Sequence, residues 1–324
     1  MVSLFLLFFK CSITMTVIAV LYQVLTPLLS KRYSARTLYY GWVIIIIGFI
    51  IPFRPRFGFG LLSIPMDIRE ADFSPLLQFI TALWVGGMMA VLAYQLFMHY
   101  RFIKAVNRWG EKLGTEAILL TLQNEQKKTG VITGVSIFKC QFITSPLLLG
   151  LRKPKILLPD IELSPEELSV IIRHELIHLR QKDVLAKFII LLATALHWYN
   201  PIIWLSSKAI SLQCEISCDN ETMINTNAEQ RQQYSETLIG VLRQAKPQTL
   251  FATNFYCSKQ SLKNRILSVM DMSIKTPSFA IIGIITVLII TTGIFIADTQ
   301  IAAAPNGVNY EFNSEDNFQF FNFD

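Results

Sequence analysis

The stretch Ser164-Pro165-Glu166-Glu167-Leu168-Ser169-Val170-Ile171-Ile172-Arg173-His174-Glu175-Leu176-Ile177-His178 decides how this chain is read. Ser164 is a capping residue, Pro165 suits the first helical position, and Glu167 closes a capping box, so a helix starts here. Side chains four apart on a helix lie one above another, and His174 and His178 therefore present two imidazoles to one point. A zinc ion at about 2.0–2.1 Å from each nitrogen fits that spacing. Glu175, next to the first imidazole, is placed to take a proton from an attacking water. Together they form the H-E-x-x-H arrangement of zinc peptidases. Two histidines and a glutamate can also be solvated polar residues. Here they use two of only four histidines, on a well-capped helix.

A third donor is expected from a second helix. In Cys214-Glu215-Ile216-Ser217-Cys218-Asp219, Glu215 and Asp219 share one helical face. This suits a carboxylate ligand followed by an acid that orients a ligand histidine, as in the glutamate-type zincins. Asp183, five residues past His178, is a weaker candidate for the same orienting task. The rival is a closed cage in which Cys214 and Cys218 join the two histidines, with no position for a reacting water. It leaves Glu175 and the Glu215/Asp219 pair without a role.

The rest of the chain is unlike a soluble protein. Of 324 residues 52% are hydrophobic and 16% charged, against roughly a quarter charged in soluble domains. The low charge also excludes disorder and a coiled coil, and five cysteines are too few for a secreted disulfide scaffold. Four uncharged runs are expected to cross a membrane: Cys11 to Ser30, Leu38 to Phe53, Phe73 to Met98 and Phe279 to Ala297. The first has no small-x-small cleavage site and reads as an uncleaved helix. Lys31, Arg32 and Arg36 occupy the first loop without an acid, and segments 101–182 and 206–275 together hold 21 basic and 14 acidic residues. The tail from Asp298 has five acidic residues and no Lys or Arg. By the positive-inside rule the middle of the chain is cytoplasmic and both ends are outside. Most of the net +6 is then orientation charge, and direct nucleic-acid binding is not expected.

A fifth apolar run, Val184 to Leu205, contains Lys187, His197, Asn200 and Pro201, which are awkward in lipid. Glu215 has to return to the metal held by His174 and His178. The run therefore reads as re-entrant, turning near His197-Trp198-Tyr199-Asn200-Pro201, or as a buried helix.

The chain resembles the membrane-embedded zinc metallopeptidases of the BlaR/MecR type, the beta-lactam-sensing antirepressors and their short relatives. The resemblance rests on His174-Glu175-x-x-His178 with Asp183, on His197-Trp198-Tyr199-Asn200-Pro201, on Glu215-x-x-Cys218-Asp219, and on Ser145-Pro146 through Lys153-Pro154-Lys155-Ile156-Leu157-Leu158-Pro159. It covers roughly residues 1–297. It implies zinc on His174, His178 and Glu215, Glu175 as catalytic base, and cleavage or inactivation of a repressor. Family sensors carry a penicillin-binding domain after the last span. Here 27 residues follow Ala297 and hold no Lys, so beta-lactam acylation by this chain is not expected.

The expected architecture is a mainly α membrane protein with three spans in 1–100, a gluzincin-type α+β zinc metallopeptidase domain facing the cytoplasm in 101–277, a last span in 278–297 and an outer tail in 298–324. Its partners are membrane lipid and a protein substrate, a transcriptional repressor or the chain itself, and a homodimer is one arrangement open to it. The alternative is a non-catalytic membrane scaffold with structural zinc.

Finer expectations follow. A strand within Val131 to Ile143 is to pair its edge with substrate. Residues 101–130 are to form an amphipathic connector, and 228–275 to carry helix faces at Leu238, Ile239, Val241 and Leu242 and from Leu262 to Met270. His197, Tyr199 and Tyr256 read as packing residues before oxyanion donors. Cys140, Cys214, Cys218 and Cys257 are expected as free thiols on the reducing side. The aromatic, acidic tail reads as a disordered end.

Overall fold

A computed structural model describes residues 2–52, 74–244, 259–273 and 275–297. In chain order these form α1 (Val2–Leu29), α2 (Ala35–Ile50), α3 (Ser74–Trp109), β1 (Glu111–Leu113), α4 (Glu116–Thr129), β2 (Ser136–Cys140), β3 (Leu147–Leu149), β4 (Lys155–Pro159), α5 (Pro165–Gln181), α6 (Asp183–Leu196), α7 (Pro201–Thr222), α8 (Ala228–Gln244), α9 (Lys259–Met270) and α10 (Phe279–Ala297). The protein is mainly α-helical, with an α+β part in which a four-stranded sheet packs against helices.

The apolar helices pack around α2. Its Leu38, Trp42, Ile45, Ile46 and Phe49 are all buried, sharing one core with Met15 and Ala19 of α1, Ala193 of α6, Ile203 and Ile210 of α7, and Ile285 of α10. The outer faces remain apolar: Val17, Leu21, Val24 and Leu28 on α1, and Phe79, Leu83, Met89 and Phe97 on α3, are exposed. A contiguous apolar exterior of this kind needs lipid or a partner to cover it. By length and composition α1 and α3 are able to cross a membrane, and α2 and the described part of α10 are shorter apolar helices. At 1.5 Å per residue α3 is about 54 Å long, well beyond a hydrocarbon core of about 30 Å. Hence residues 101–130 form no single connector. The charged stretch from Arg101 to Arg108 continues α3 without a break, and β1 and α4 follow as separate elements.

The run from Val184 to Leu205 breaks where its polar cluster lies, into α6 and α7. Asn200 caps α7 by accepting from the Ile202 amide at 2.9 Å, and Pro201 takes the first helical position. The apolar helices around it satisfy part of the polar turn, while His197 Nδ1 and the Tyr199 hydroxyl are buried without a hydrogen bond among the described residues. Asn200 donates to the Ser12 and Thr16 hydroxyls at 2.8 Å each, the His197 ring meets the Phe49 carbonyl at 3.0 Å, and Trp84 donates to the Leu196 carbonyl at 2.9 Å. A side chain at Gly87 would run into the ring of Trp198, so α3 approaches this turn at a position only glycine allows.

The sheet has the order β1-β2-β4-β3, with β2 and β4 parallel and the outer pairs antiparallel. Ile137, Ile156 and Leu158 pack with Leu122 of α4 and Ile171, Ile172 and Leu176 of α5. The expected strand in Val131 to Ile143 is thus shorter, at Ser136–Cys140, and interior. β1 and β4 occupy both its edges, so its edge is not open to a substrate.

Buried Glu125 fastens α4 to α5, accepting from Arg173 Nε at 2.6 Å, Ser169 Oγ at 2.9 Å and Lys128 Nζ at 2.6 Å. Burial opposes its charge, but these donors outweigh burial and hold its pKa below the usual glutamate value. A depressed folded pKa gives stability that is present above the unfolded value of about 4.3 and lost as pH falls through the folded one. Acid titration followed by tryptophan fluorescence should therefore show this loss in the native chain, and less of it in Glu125→Gln.

Candidate metal centre

The α5 start forms as its sequence demands: Ser164 Oγ accepts from the Glu167 amide at 3.2 Å, and the Glu167 carboxylate accepts from the Ser164 amide at 2.9 Å. The helix lays its apolar face on the sheet, and His174, Glu175 and His178 are buried on α5. The two imidazoles face each other, with Nε2 to Nε2 at 3.1 Å. Two ring nitrogens so close need a proton or a cation between them. Glu215 on α7 completes the group, with Oε2 3.6 Å from His174 Nε2 and Oε1 3.7 Å from His178 Nε2.

These separations test the donor set. Four donors about 2.0–2.1 Å from a central ion stand about 3.3–3.4 Å apart in a tetrahedron. The 3.1 Å between the imidazoles and the 3.6 and 3.7 Å from each imidazole to a different oxygen of Glu215 lie near that edge. His174, His178 and Glu215 could hold a metal ion, with three protein donors and a fourth side left over.

Each histidine is held from behind. Lys182 takes a left-handed conformation (φ 58°) between α5 and α6, which brings Asp183 back toward the preceding helix. Asp183 Oδ2 meets His178 Nδ1 at 2.7 Å, while its Oδ1 accepts from the Tyr39 hydroxyl of α2 at 2.8 Å. Behind His174, Nδ1 lies 3.3 Å from Asp219 Oδ1 and 3.1 Å from the Tyr234 hydroxyl, which donates to Asp219 at 2.6 Å. The Arg265 guanidinium of α9 grips Asp219 with two bonds of 2.7 and 2.8 Å and reaches Glu215 at 3.1 Å. A carboxylate on the far nitrogen fixes ring orientation and tautomer, leaving Nε2 to the metal.

The electrostatics follow. Desolvation opposes charge on Glu215, yet Arg265 and the two imidazoles hold its carboxyl well below the usual range. Burial likewise opposes an imidazolium at His178, but the hydrogen bond to Asp183 and the Glu215 charge outweigh it and raise its pKa. Glu175 is buried and makes no hydrogen bond or ion pair with the described residues.

The structure separates what the sequence left as rivals. Cys214 and Cys218 gather with His178 and Asp183, whereas His174 gathers with His178 and Glu215. No cage joins both cysteines to both histidines. Cys140, Cys214 and Cys218 form no disulfide, as expected of thiols, and Cys257 and Tyr256 lie outside the described residues. His197 and Tyr199 sit among Phe8, Phe9 and Phe49 at the turn between α6 and α7. That turn is at the opposite end of α6 from Asp183, about 20 Å away along the helix, so neither ring reaches the centre. Tyr39, Tyr234 and Arg265 also support the centre, through Asp183 and Asp219. No local spacing marks them, since each reaches the centre from another element.

Known proteins resemble this chain in sequence. The BlaR1 peptidase M56 family matches residues 63–269. The chain is 26% identical to the regulatory protein BlaR1 of Bacillus licheniformis over 200 residues, 60% of this chain and 33% of that protein. It is 22% identical to the methicillin resistance mecR1 protein of Staphylococcus aureus strain Mu50 over 182 residues, 55% of this chain and 30% of that one. With the regulatory protein BlaR1 of Staphylococcus aureus it shares 20% over 254 residues, 76% and 42% of the two chains. It thus spans about a third of the length of the first relatives it matches. The matched region runs from before α3 into the last turn of α9 and takes in His174, His178, Glu215, Asp219 and Arg265, so this chain belongs to the BlaR1 peptidase M56 family of membrane signal-transducing proteins.

Proposed function

We propose that the chain is a membrane-embedded zinc metalloendopeptidase that cleaves a protein at the cytoplasmic face in signal transduction, with a transcriptional repressor or the chain itself as substrate. One observation carries this reading: two imidazole Nε2 atoms and the Glu215 carboxylate converge, each imidazole braced by a carboxylate, beside a buried Glu175 without a partner among the described residues. His174, His178 and Glu215 would hold zinc. When bound, zinc supplies a Lewis acid that acidifies water and polarises the scissile carbonyl.

The protein side chains do the rest. Glu175 takes the proton of the attacking water and passes it to the leaving amine. Asp183 and Asp219 keep the imidazoles in one tautomer. The substrate lies extended along β3, an edge strand of the sheet that packs beside α5 and offers unpaired main-chain groups. Leu147, Leu148 and Leu149 give that edge an apolar character.

In this reading α1, α2, α3 and α10 cross the membrane, and α6 and α7 form a hairpin that enters between them and returns. The polar tip at His197 to Pro201 is sealed by Ser12, Thr16, Phe49 and Trp84. Loop charge supports the orientation: Tyr39, which touches the centre, lies one turn into α2, just after Lys31, Arg32 and Arg36. The regulatory role is the one named for the relatives BlaR1.

Removal of the metal tests the reading. Chelation should abolish cleavage of a co-expressed winged-helix repressor, or of the chain itself, and zinc should restore it. Cleavage that persists in metal-free protein would refute it. Asp183→Asn is expected to weaken zinc about 10–100-fold, as loss of such a brace does elsewhere, measured by competition with a chelator.

A further inference from the structure

His178 has two faces, and the peptidase reading places a metal on only one of them. On the other, Nδ1 lies 3.3 Å from Cys218 Sγ and 3.9 Å from Cys214 Sγ, and Cys218 Sγ is 3.5 Å from Asp183 Oδ2. All four donor atoms fall within 4.8 Å of one another, and all four residues are buried. With metal–sulfur bonds of about 2.3 Å and metal–nitrogen or metal–oxygen bonds of about 2.0–2.1 Å, tetrahedral sulfur-to-nitrogen and sulfur-to-oxygen edges come to about 3.5 Å. Three of the observed separations cluster around that value. The exception is Asp183 Oδ2 to His178 Nδ1, contracted to the 2.7 Å of a hydrogen bond. A thiol pair four apart on α7 beside an imidazole and a carboxylate is a donor set for a soft divalent cation.

We infer that Cys214, Cys218, Asp183 and the Nδ1 face of His178 form a second, closed site for a thiophilic divalent cation, back to back with the first across one imidazole ring. Binding releases the two thiol protons and the Nδ1 proton to solvent, and four protein donors leave no position for a reacting water. The site differs in kind from the Nε2 site, which has an oxygen donor and no sulfur. An ion there replaces the Asp183–His178 hydrogen bond, so loading the inner site changes how His178 is presented to the outer one. Tyr39 remains on Asp183 Oδ1, which keeps the carboxylate aimed inward. The binding site stands on these distances alone; only its effect on hydrolysis rests on the peptidase reading.

The test is a titration of the full chain in detergent, under reducing conditions, with cadmium(II). The native chain is expected to take up two ions, one of them producing the ultraviolet thiolate-to-cadmium charge-transfer band. Cys214→Ser with Cys218→Ser should take up one ion and show no band. Either single variant, milder if the pair fails to fold, should reduce it. Glu215→Gln, which weakens the outer site, and Cys140→Ser, which removes a thiol of the sheet, should both keep it. A native chain without the band, or a band that survives loss of Cys214 and Cys218, would overturn the proposal. Peptide cleavage is measured nowhere in this series, so its outcome is separate from that of the peptidase reading.

Discussion

Glu175→Gln is expected to lower peptide cleavage about 10²–10⁴-fold, the usual contribution of a positioned acid–base group, while leaving bound zinc unchanged. The amide keeps the volume of the carboxylate, so α5 and its two histidines should stay as they are. Glu175 is no donor to either metal cluster, and its buried carboxylate engages none of the described residues, so the native packing loses no bond. What it loses is a proton acceptor. The check is cleavage of a candidate repressor, or self-cleavage, set beside zinc content in the same preparation. A variant that keeps its zinc and cuts at the native rate would remove Glu175 from the chemistry and favour a scaffold with structural metal. Loss of zinc along with activity would show instead that Glu175 supports the donors.

Arg265→Met should destabilise the protein by about 3–5 kcal/mol, the cost of breaking a buried ion pair by removing one partner. Asp219 is fully buried and Arg265 nearly so, and the guanidinium is shared between Asp219 and Glu215. Without it, two carboxylates face each other across His174 with only the Tyr234 hydroxyl and the imidazoles to neutralise them. Burial opposes the charge on Arg265 as well, but Asp219 and Glu215 outweigh it and raise its pKa well above the ordinary value. Lys139 and Asp160, an exposed pair on the sheet, make the contrast: removing Lys139 should change stability little, because water screens both groups already. Thermal unfolding in detergent distinguishes the two. Zinc should partly rescue Arg265→Met, since a cation among the donors replaces some of the missing charge. A shift no larger than that of the Lys139 variant would show that the buried carboxylates are neutralised in another way.

These two changes probe opposite sides of the centre, and the contrast explains how it is built. The two converging imidazoles are local to α5, whereas their support is distributed. The brace behind His178 runs through Asp183 to Tyr39 on α2, and the brace behind His174 runs through Asp219 to Tyr234 and Arg265 on α8 and α9. The Glu221 carboxylate adds a further tie, bonded by Arg180 and Gln181 of α5 and faced by Arg36 of α2 at 3.6 Å. Gln213 of α7 also donates to the Ala35 carbonyl at the first turn of α2, at 3.1 Å. An apolar helix is thus wired to one metal-facing imidazole through a single carboxylate.

The sequence alone determined whatever depends on neighbours a few residues away. The capped start of α5, the stacking of His174 on His178, the shared face of Glu215 and Asp219, and the break at Asn200-Pro201 follow from helical periodicity and from the missing proline amide. The long apolar runs follow from composition. Tertiary structure alone decided what depends on partners far along the chain. Tyr39 meets Asp183 across 144 residues and Arg265 meets Asp219 across 46. A tyrosine in an apolar helix and an arginine in a polar one carry no mark of such a bond. β2 is interior because β1 and β4 happen to take both its edges, which no pattern within Val131 to Ile143 encodes. Periodicity determines which way a side chain faces on its own element. Only packing decides what stands opposite it, and for Cys214 and Cys218 that is the Nδ1 edge of His178, which Asp183 also holds.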